Sequence, residues 1–556
     1  MEYLTVEEVA DRLNLSVATV RRRCASSEID AIKAGPQWLV DPEALDNPKV
    51  KRKRKSVRHE TEYNFRVAFT HVQSTDLSEA WVPDVLRFRD QTDNRDFVIA
   101  EAQRRISDHE FLPPHRLDVP KTPFSNRPGV LLDLPDRVAY QAVVATFADK
   151  IEAALTEAVY SSRLSDDPKY FLQHGPRRWV KFEKDAEGRA KGNFEWVAQT
   201  DISSYFEHIL HQRLFDELSH LGVGGSPLRT LREMLSKWSL VQGMGLPQGP
   251  NASRVLGNFY LVQVDEIILD AGYTYYRYMD DVRILTQSKA EAVAGIRLFE
   301  HACRGRGLTP SSAKTKVLPV EDYVRLRADP DTDRASYLFD HGSLPKVRIE
   351  LKKVLKKALD DSGVNHRKAR FSIWRLARIR ESTVLGQILE NLEMLAPVSS
   401  AVAAYLKHFV SRSSAHSRIA AFLSDPTRSY SSFLRSWVYA AMLECKKVPE
   451  QWRRLAEQDA RNRNNQNYLR AVAVCVLARA RIPRDLNWIR SELEMEHDPV
   501  MKRGYIVALA YGGGLDRTTT NAATRSDAVL AVTANWLKSR TRLPSLLYAD
   551  QSINIR

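Results

Sequence analysis

The sequence predicts a multidomain chain of α/β plus all-α character, and three observations carry that prediction. At 556 residues the chain is long enough for three or four domains of ordinary size. Residues 61–345 alternate helix-like and strand-like stretches, whereas 346–556 read as helical almost throughout. Ahead of both, residues 1–46 form a short unit of their own, cut off by a basic linker over 47–60. The composition, with 43% hydrophobic and 27% charged residues, excludes collagen-like, low-complexity and wholly disordered chains. No run approaches 18 uncharged apolar residues, so no membrane partner is expected. The first eight residues lack the basic-then-apolar order of a signal peptide. Cys24, Cys303, Cys445 and Cys475 are too dispersed for a disulfide framework or a zinc site, which fits a cytoplasmic location. A net charge of +14 favours a polyanionic partner through counterion release.

In the first unit, Thr5 is placed to cap a helix over Val6–Leu13, with Glu8 three residues after it in capping-box spacing. A turn at Asn14–Ser16 leads to a second helix, Val17–Cys24, carrying Arg21, Arg22 and Arg23. Residues Ile32–Val40 then read as two strands around Gly35-Pro36. This order resembles the excisionase/MerR-type winged helix-turn-helix, and the resemblance implies that the second helix, with its three arginines, contacts DNA in the major groove. The unit itself carries nine acids against five bases, which equally fits a protein-docking or oligomerisation module, and a homo-oligomer is compatible with either. The run Lys49–Arg58 has seven bases in ten residues, half of the net charge, and is expected to be solvated rather than packed. Lys51, Arg52, Lys53, Arg54 and Lys55 are its candidate phosphate contacts.

Three segments of the middle section fit one chemistry. A strand-like run, Glu195–Thr200, ends at Asp201, where a carboxylate can hold a metal beside backbone carbonyls such as that of Ile202. Farther on, Tyr273–Leu285 holds the adjacent pair Asp280-Asp281 between two strand-like runs, as in a hairpin turn. Paired charge flanked by apolar strands is costly unless a cation neutralises it. Between these lies a Gly/Pro-rich loop, Gly243–Pro250, opening a long helix and allowing backbone to approach a flat ligand.

Together these segments resemble the reverse transcriptase palm. Tyr278-Met279-Asp280-Asp281 matches the Y-x-D-D box, Asp201 with Phe206 the first palm motif, and Leu246-Pro247-Gln248-Gly249 with Ser253 the intervening one. Gly307–Lys316 matches the next motif with its lysine, and Arg127-Pro128 and Leu134–Gln141 resemble the fingers of bacterial reverse transcriptases. The implied fold is a right-hand polymerase with α/β fingers and palm, followed by a helical thumb. The resemblance implies two-metal nucleotidyl transfer: Asp201 and Asp280 bridge two divalent ions and Asp281 is a more peripheral ligand. Mg²⁺ is the expected ion, with Mn²⁺ as a substitute. It also implies that Phe206 is the steric gate selecting dNTPs, with Tyr205 as the fallback. Gln248 would line the dNTP pocket, Lys314 would meet the pyrophosphate, and Arg127 and Arg137 would hold the triphosphate.

The helical remainder carries a faint repeat. Phe433–Ala441, Tyr468–Val476 and Val500–Ala508 align so that Arg435, Arg470 and Arg503 fall 35 and 33 residues apart, the period of a HEAT-like α-solenoid. No nuclease signature accompanies the palm, and Asn251-Ala252-Ser253-Arg254 replaces the Ser-Pro usual in group II intron and retron enzymes. A polymerase joined to a long helical region is similar to the defence-associated, abortive-infection "unknown group" of bacterial reverse transcriptases. That similarity implies an antiphage role, with DNA made on an RNA template or a partner non-coding RNA, or primed from the protein itself. The competing readings are a retron-like enzyme making an RNA–DNA product, a DNA-binding regulator using the palm as scaffold, and an RNA polymerase, which Phe206 disfavours.

Overall fold

A computed structural model describes residues 3–13, 17, 20–21, 24, 29, 31–34 and 37–42, and then 63–78, 84–360, 363–540 and 543–547. The described residues fall into two compact units, one within residues 1–62 and one spanning 63–556.

In the first unit, strands β1 (Leu4–Thr5), β2 (Ala31–Ala34) and β3 (Gln37–Val40) form an antiparallel sheet in the order β1-β3-β2. The capping box forms as the spacing requires. Glu8 donates its N–H to Thr5 Oγ1 at 3.3 Å, and Thr5 donates its N–H to Glu8 Oε2 at 2.8 Å. The Thr5 N–H foremost, and then the Thr5 hydroxyl, which donates to the same oxygen at 3.0 Å, hold the Glu8 carboxyl below its ordinary range. Val6, Val9 and Ala10 of the first helix meet Val20, Cys24 and Val40 in a small apolar core. Val17, Val20, Arg21 and Cys24 are helical, and Arg21 Nη2 lies 3.3 Å from Glu7 Oε1, both side chains exposed. Arg22 and Arg23, and the linker residues Lys51, Arg52, Lys53, Arg54 and Lys55, lie outside the described residues.

The second unit is built on two large cores. In the first, helices Phe65–Ser74, Arg95–Asp108 and Leu134–Ala145 pack together beside a four-stranded antiparallel sheet. Its strands β6 (Trp196–Thr200), β7 (Thr274–Tyr278), β8 (Asp281–Thr286) and β9 (Lys316–Pro319) run in the order β7-β8-β6-β9. Helices Asn251–Tyr260, Val262–Asp270 and Lys289–Arg304 supply much of its apolar backing. A separate hairpin, β4 (His115–Thr122) with β5 (Ser125–Leu131), packs instead against the helical region.

The second core is helical and begins earlier than position 346. Helix Pro330–His341 buries Ala335 in it and pairs with helix Leu344–Ala358 through Asp331 to Lys353 at 3.0 Å and Arg334 to Glu350 at 3.3 Å. The repeat-aligned segments fall on helices Ser432–Met442, Asn467–Arg479 and Pro499–Gly512, which pack in series. Helices Glu450–Arg461 and Pro483–Met495 alternate with them in the chain. The end of this region returns to the fingers. Arg503 is sealed against Asp84 and, at 2.6 Å, Asp90, while Trp536 Nε1 donates to Asp93 at 2.8 Å. Val85, Leu86, Leu117 and Val119 therefore share the helical core, which makes residues 63–556 one unit rather than two.

Candidate active site

Sheet register builds the site. Thr200 of β6 is opposite Val282 of β8 in an antiparallel pair, so one step beyond on each strand sets Asp201 beside Asp281. Strands β7 and β8 close with Tyr278 opposite Asp281, leaving Met279 and Asp280 as a two-residue turn. Asp201, Asp280 and Asp281 each present a carboxylate oxygen, all within 4.8 Å of one another.

The turn is held from behind. Met279 has φ of +58°, a left-handed conformation that a side-chain-bearing residue adopts only under constraint. Its N–H donates to Ser161 Oγ at 2.7 Å and its carbonyl accepts from Arg277 Nη1 at 3.0 Å. Arg277 is fully buried and grips Asp265 with two bonds of 2.5 and 2.6 Å, while Asn258 links it to Ser161. Burial opposes the Arg277 charge, yet the Asp265 carboxylate holds the guanidinium above its ordinary range. Asp265 goes the other way: burial raises it despite Arg277.

Two cations lie against the three acids: Arg283, its Nη1 3.9 Å from Asp281 Oδ1, and more closely Lys314. Lys314, on the loop running into β9, donates from Nζ to Asp201 Oδ2 at 2.5 Å. Asp201 accepts the Ser311 N–H at 2.7 Å through its carbonyl, and Ile202 bridges Pro310, so this loop is fastened to the end of β6. Burial, then the neighbouring Asp201 and Asp281 charges, push Asp280 up to about 7. Asp281 is raised too, mainly by burial. Burial would lower Lys314, but the Asp201 hydrogen bond and the surrounding carboxylates keep it above its ordinary value. Three carboxylates against Lys314 and the more distant Arg283 still leave an excess of negative charge on hard oxygen donors, and that donor set fits divalent cations.

The remaining sequence candidates divide. Phe206 is half-buried in a short turn, its ring 5.4 Å from that of Tyr205. Gly257 makes room for both, since a Cβ there would sit 3.2 Å from Phe206 and 3.4 Å from Tyr205. Tyr205 is turned into the core, where its hydroxyl donates to the Gly257 carbonyl and burial raises it far above its ordinary value. Tyr205 is thus buried, whereas Phe206 keeps part of its ring exposed. Gln248 reaches Glu207 Oε1 at 3.5 Å. Arg127, on β5, lies within electrostatic reach of the site, since burial and Arg370 lower it while the Glu207 and Asp280 charges act to raise it. Arg137 does not. It is buried on the fingers helix, its Nη1 3.4 Å from the Asp76 carbonyl, and Asp76 and Asp133 supply its compensating charge.

Sequence reasoning missed Arg277, Asp265, Asn258 and Ser161 behind the turn, and Glu207 and Arg370 around Arg127. Arg370, from helix His366–Arg378, lies close enough that its charge, after burial, is the next influence lowering Arg127. Alternation along Thr274–Tyr278 could have flagged Arg277, because it shares the inward face with Tyr275.

Residues 119–338 match the family model described as reverse transcriptase (RNA-dependent DNA polymerase), and every carboxylate of the cluster lies inside the match. The chain carries a reverse transcriptase domain. Residues 3–47 match a helix-turn-helix domain model, so the reverse transcriptase domain is preceded by a second module of nucleic-acid-binding type. No curated protein matches the chain. Among the described residues no helix is long and apolar enough to cross a membrane.

Proposed function

We propose that the chain is a Mg²⁺-dependent reverse transcriptase that builds DNA from dNTPs, and that it serves bacterial defence against phage. The observation that carries the catalytic reading is the Asp201, Asp280 and Asp281 cluster, its oxygens within 4.8 Å and faced by Lys314. Asp201, Asp280 and Asp281, with the Ile202 carbonyl, would hold two divalent ions. When bound, such ions activate the attacking 3′-hydroxyl and steady the leaving pyrophosphate. The chain's own groups do the rest. Lys314 is placed to donate a proton or hydrogen bond to the leaving phosphate. Arg127, on which the Asp280 charge acts, would meet the triphosphate, and Gln248, 3.5 Å from Glu207, would border the base pocket. Phe206 sets a flat apolar wall against a 2′-hydroxyl. The helix-turn-helix unit and the basic linker add contacts to DNA or RNA. The series of packed helices beyond Ser432 supports a HEAT-like reading of the C-terminal region, and with it the similarity to defence-associated enzymes.

Primer extension tests the reading. Asp280→Asn is expected to abolish dNTP incorporation while nucleic-acid binding persists; surviving synthesis would refute the carboxylate assignment. Phe206→Ala is expected to reduce the preference for dNTPs over NTPs by about tenfold or more, and unchanged selectivity would remove Phe206 as the gate. Labelled products of primer-free reactions, treated with proteinase or RNase, separate protein-primed from RNA-dependent synthesis.

A further inference from the structure

Residues 243–250 form the loop that carries Gln248, and the segment 206–211 sets its path. Backbone bonds join the two. Leu246 donates its N–H to the Phe206 carbonyl at 2.8 Å, Gly245 to the Ile209 carbonyl at 2.8 Å, and His211 to the Gly243 carbonyl at 2.9 Å. Leu210 and Met244 pair as an antiparallel bridge within that set. Gly245 has φ of +94°, a conformation that favours glycine, and a Cβ there would lie 3.4 Å from the Glu207 carbonyl oxygen. A backbone with that freedom does not keep one conformation by itself; its partners must keep it.

One side chain adds to those bonds. His211 opens helix His211–His220, and its Nε2 lies 2.6 Å from the Gly245 carbonyl oxygen. A carbonyl oxygen only accepts, so Nε2 carries the proton. Ser239 Oγ, which donates to the Leu235 carbonyl, stands 3.5 Å from the same nitrogen, a much longer contact. The imidazole is 5% exposed and tilts against Phe215 at 5.8 Å, on a helix whose Leu214, Phe215 and Leu218 are buried in the core that backs the palm sheet. Burial lowers His211 below its ordinary value, against the pull of the Gly245 bond, which leaves the ring neutral at physiological pH. The ring is a fixed donor on a rigid element, and the loop is the part it restrains.

The bond lies between two residues that the proposed function uses. Phe206 receives the loop through its carbonyl, and Gln248 follows Gly245 by three residues. The contact of Gln248 with Glu207 Oε1, at 3.5 Å, is too long to place the glutamine alone.

We infer that His211 is a positioning residue for nucleotide selection: by fastening Gly245, its imidazole fixes the spacing between Phe206 and Gln248. This rests on the reading of those two residues as dNTP contacts. The carboxylates are held by other bonds, from Ser161, Arg277 and Ser311, so the effect falls on nucleotide binding rather than on the chemical step.

Steady-state primer extension by the full-length protein tests this with a matched pair of variants. His211→Met and His211→Gln fill similar volumes, and only the second keeps an N–H at the reach of Nε2. His211→Met is expected to raise the KM for dNTP about tenfold and to lower the preference for dNTPs over NTPs by a similar factor, with kcat within about threefold of wild type. His211→Gln is expected to bring both values back to within about threefold of wild type. Gly245→Ala, which strains the same loop and leaves the imidazole in place, is expected to move KM and selectivity in the same direction. The inference is overturned if folded His211→Met keeps KM and selectivity within about twofold of wild type, if His211→Gln is impaired as much as His211→Met, or if kcat alone falls. Should melting curves show that His211→Met does not fold, unchanged KM and selectivity in Gly245→Ala overturns it. A failure of the underlying reading shows elsewhere: wild-type protein that incorporates no dNTP, or Phe206→Ala with unchanged selectivity, removes the contacts that His211 would position and overturns the inference with them.

Discussion

Ser161 is outside the motifs, yet its hydroxyl is one of two groups holding the Met279–Asp280 turn, and Ser161→Ala isolates that contribution. The substitution removes the 2.7 Å bond from the Met279 N–H and the 3.1 Å bond to Asn258 Oδ1, with almost no change of shape. A buried amide left without an acceptor costs about 1–3 kcal/mol. The left-handed conformation at Met279 adds strain of about 1–3 kcal/mol, which persists only while the surroundings over-determine it. With Ser161 gone, Arg277 alone restrains the turn through the Met279 carbonyl. The turn then relaxes, and Asp280 moves with it. A displacement near 1 Å in a catalytic group costs about 10²-fold in rate, so the turnover of Ser161→Ala is expected to fall by about 10–100-fold. Denaturation curves should show a loss of about 1–3 kcal/mol. Single-turnover primer extension under saturating metal and dNTP, run alongside those curves, separates the two effects. If stability falls as stated but the rate stays within about twofold of wild type, the idea that Ser161 positions Asp280 is refuted.

Two further outcomes follow from the site and its surroundings. Arg127→Ala is expected to raise the KM for dNTP by about tenfold or more, whereas Arg137→Ala should lower stability and leave KM unchanged; steady-state kinetics with melting curves distinguishes them, and the reverse pattern would exchange their roles. Asp76, which accepts the Asn251 N–H at 3.2 Å at the start of the helix behind the site, is pushed up to about 6 by burial, against the pull of Arg137 and Arg254. Its folded form therefore binds a proton that the unfolded chain releases near pH 4, so this group's contribution is fully present below pH 4 and declines by about 3 kcal/mol as pH rises through 6. Asp76→Asn should remove that decline, and a wild-type-to-variant gap in melting temperature that stays constant from pH 4 to 7 would contradict the assignment.

Legibility in the sequence tracked whether a residue's role was local. The Thr5–Glu8 capping box and the hairpin that carries Asp280 and Asp281 depend on neighbours within a few positions, and both could be read directly. Meeting of Asp201 with that turn depends on strand register, which the sequence alone leaves open and which the palm resemblance supplied. Residues whose meaning depends on distant partners stayed hidden. Helix Leu134–Ala145 is buried from Leu134 to Val144, so no polar face marks Arg137 as inward. An arginine sealed against Asp76 looks, in sequence, like one turned toward a triphosphate. Arg277 was obscured for a similar reason. Alternation along Thr274–Tyr278 sets it inward with Tyr275, but the partners that give it meaning, Asp265 and Asn258, come from other elements. The start of the helical region at Pro330 was masked because helix Pro330–His341 contributes only Ala335 as a buried residue.

The hairpin β4–β5 shows why the helical region cannot be regarded as an appendage to the catalytic part. A two-stranded hairpin is at best marginally stable alone, so the place of Arg127 must be set by whatever the hairpin rests on. Its apolar residues Leu117 and Val119 are buried in the helical core, together with Leu392, Leu395 and Leu434. At its tip the Pro123 carbonyl accepts from the Tyr430 hydroxyl at 2.9 Å, and the Phe124 and Tyr430 rings stack at 6.3 Å. The strand that carries a candidate triphosphate contact is thus positioned by helices lying hundreds of residues later in the chain. Arg370 strengthens the point. It comes from those helices and sets a second positive charge near Arg127, against which the Glu207 and Asp280 charges act. The helical region therefore supplies both the surface on which the strand of Arg127 rests and, in Arg370, a charge that acts on it.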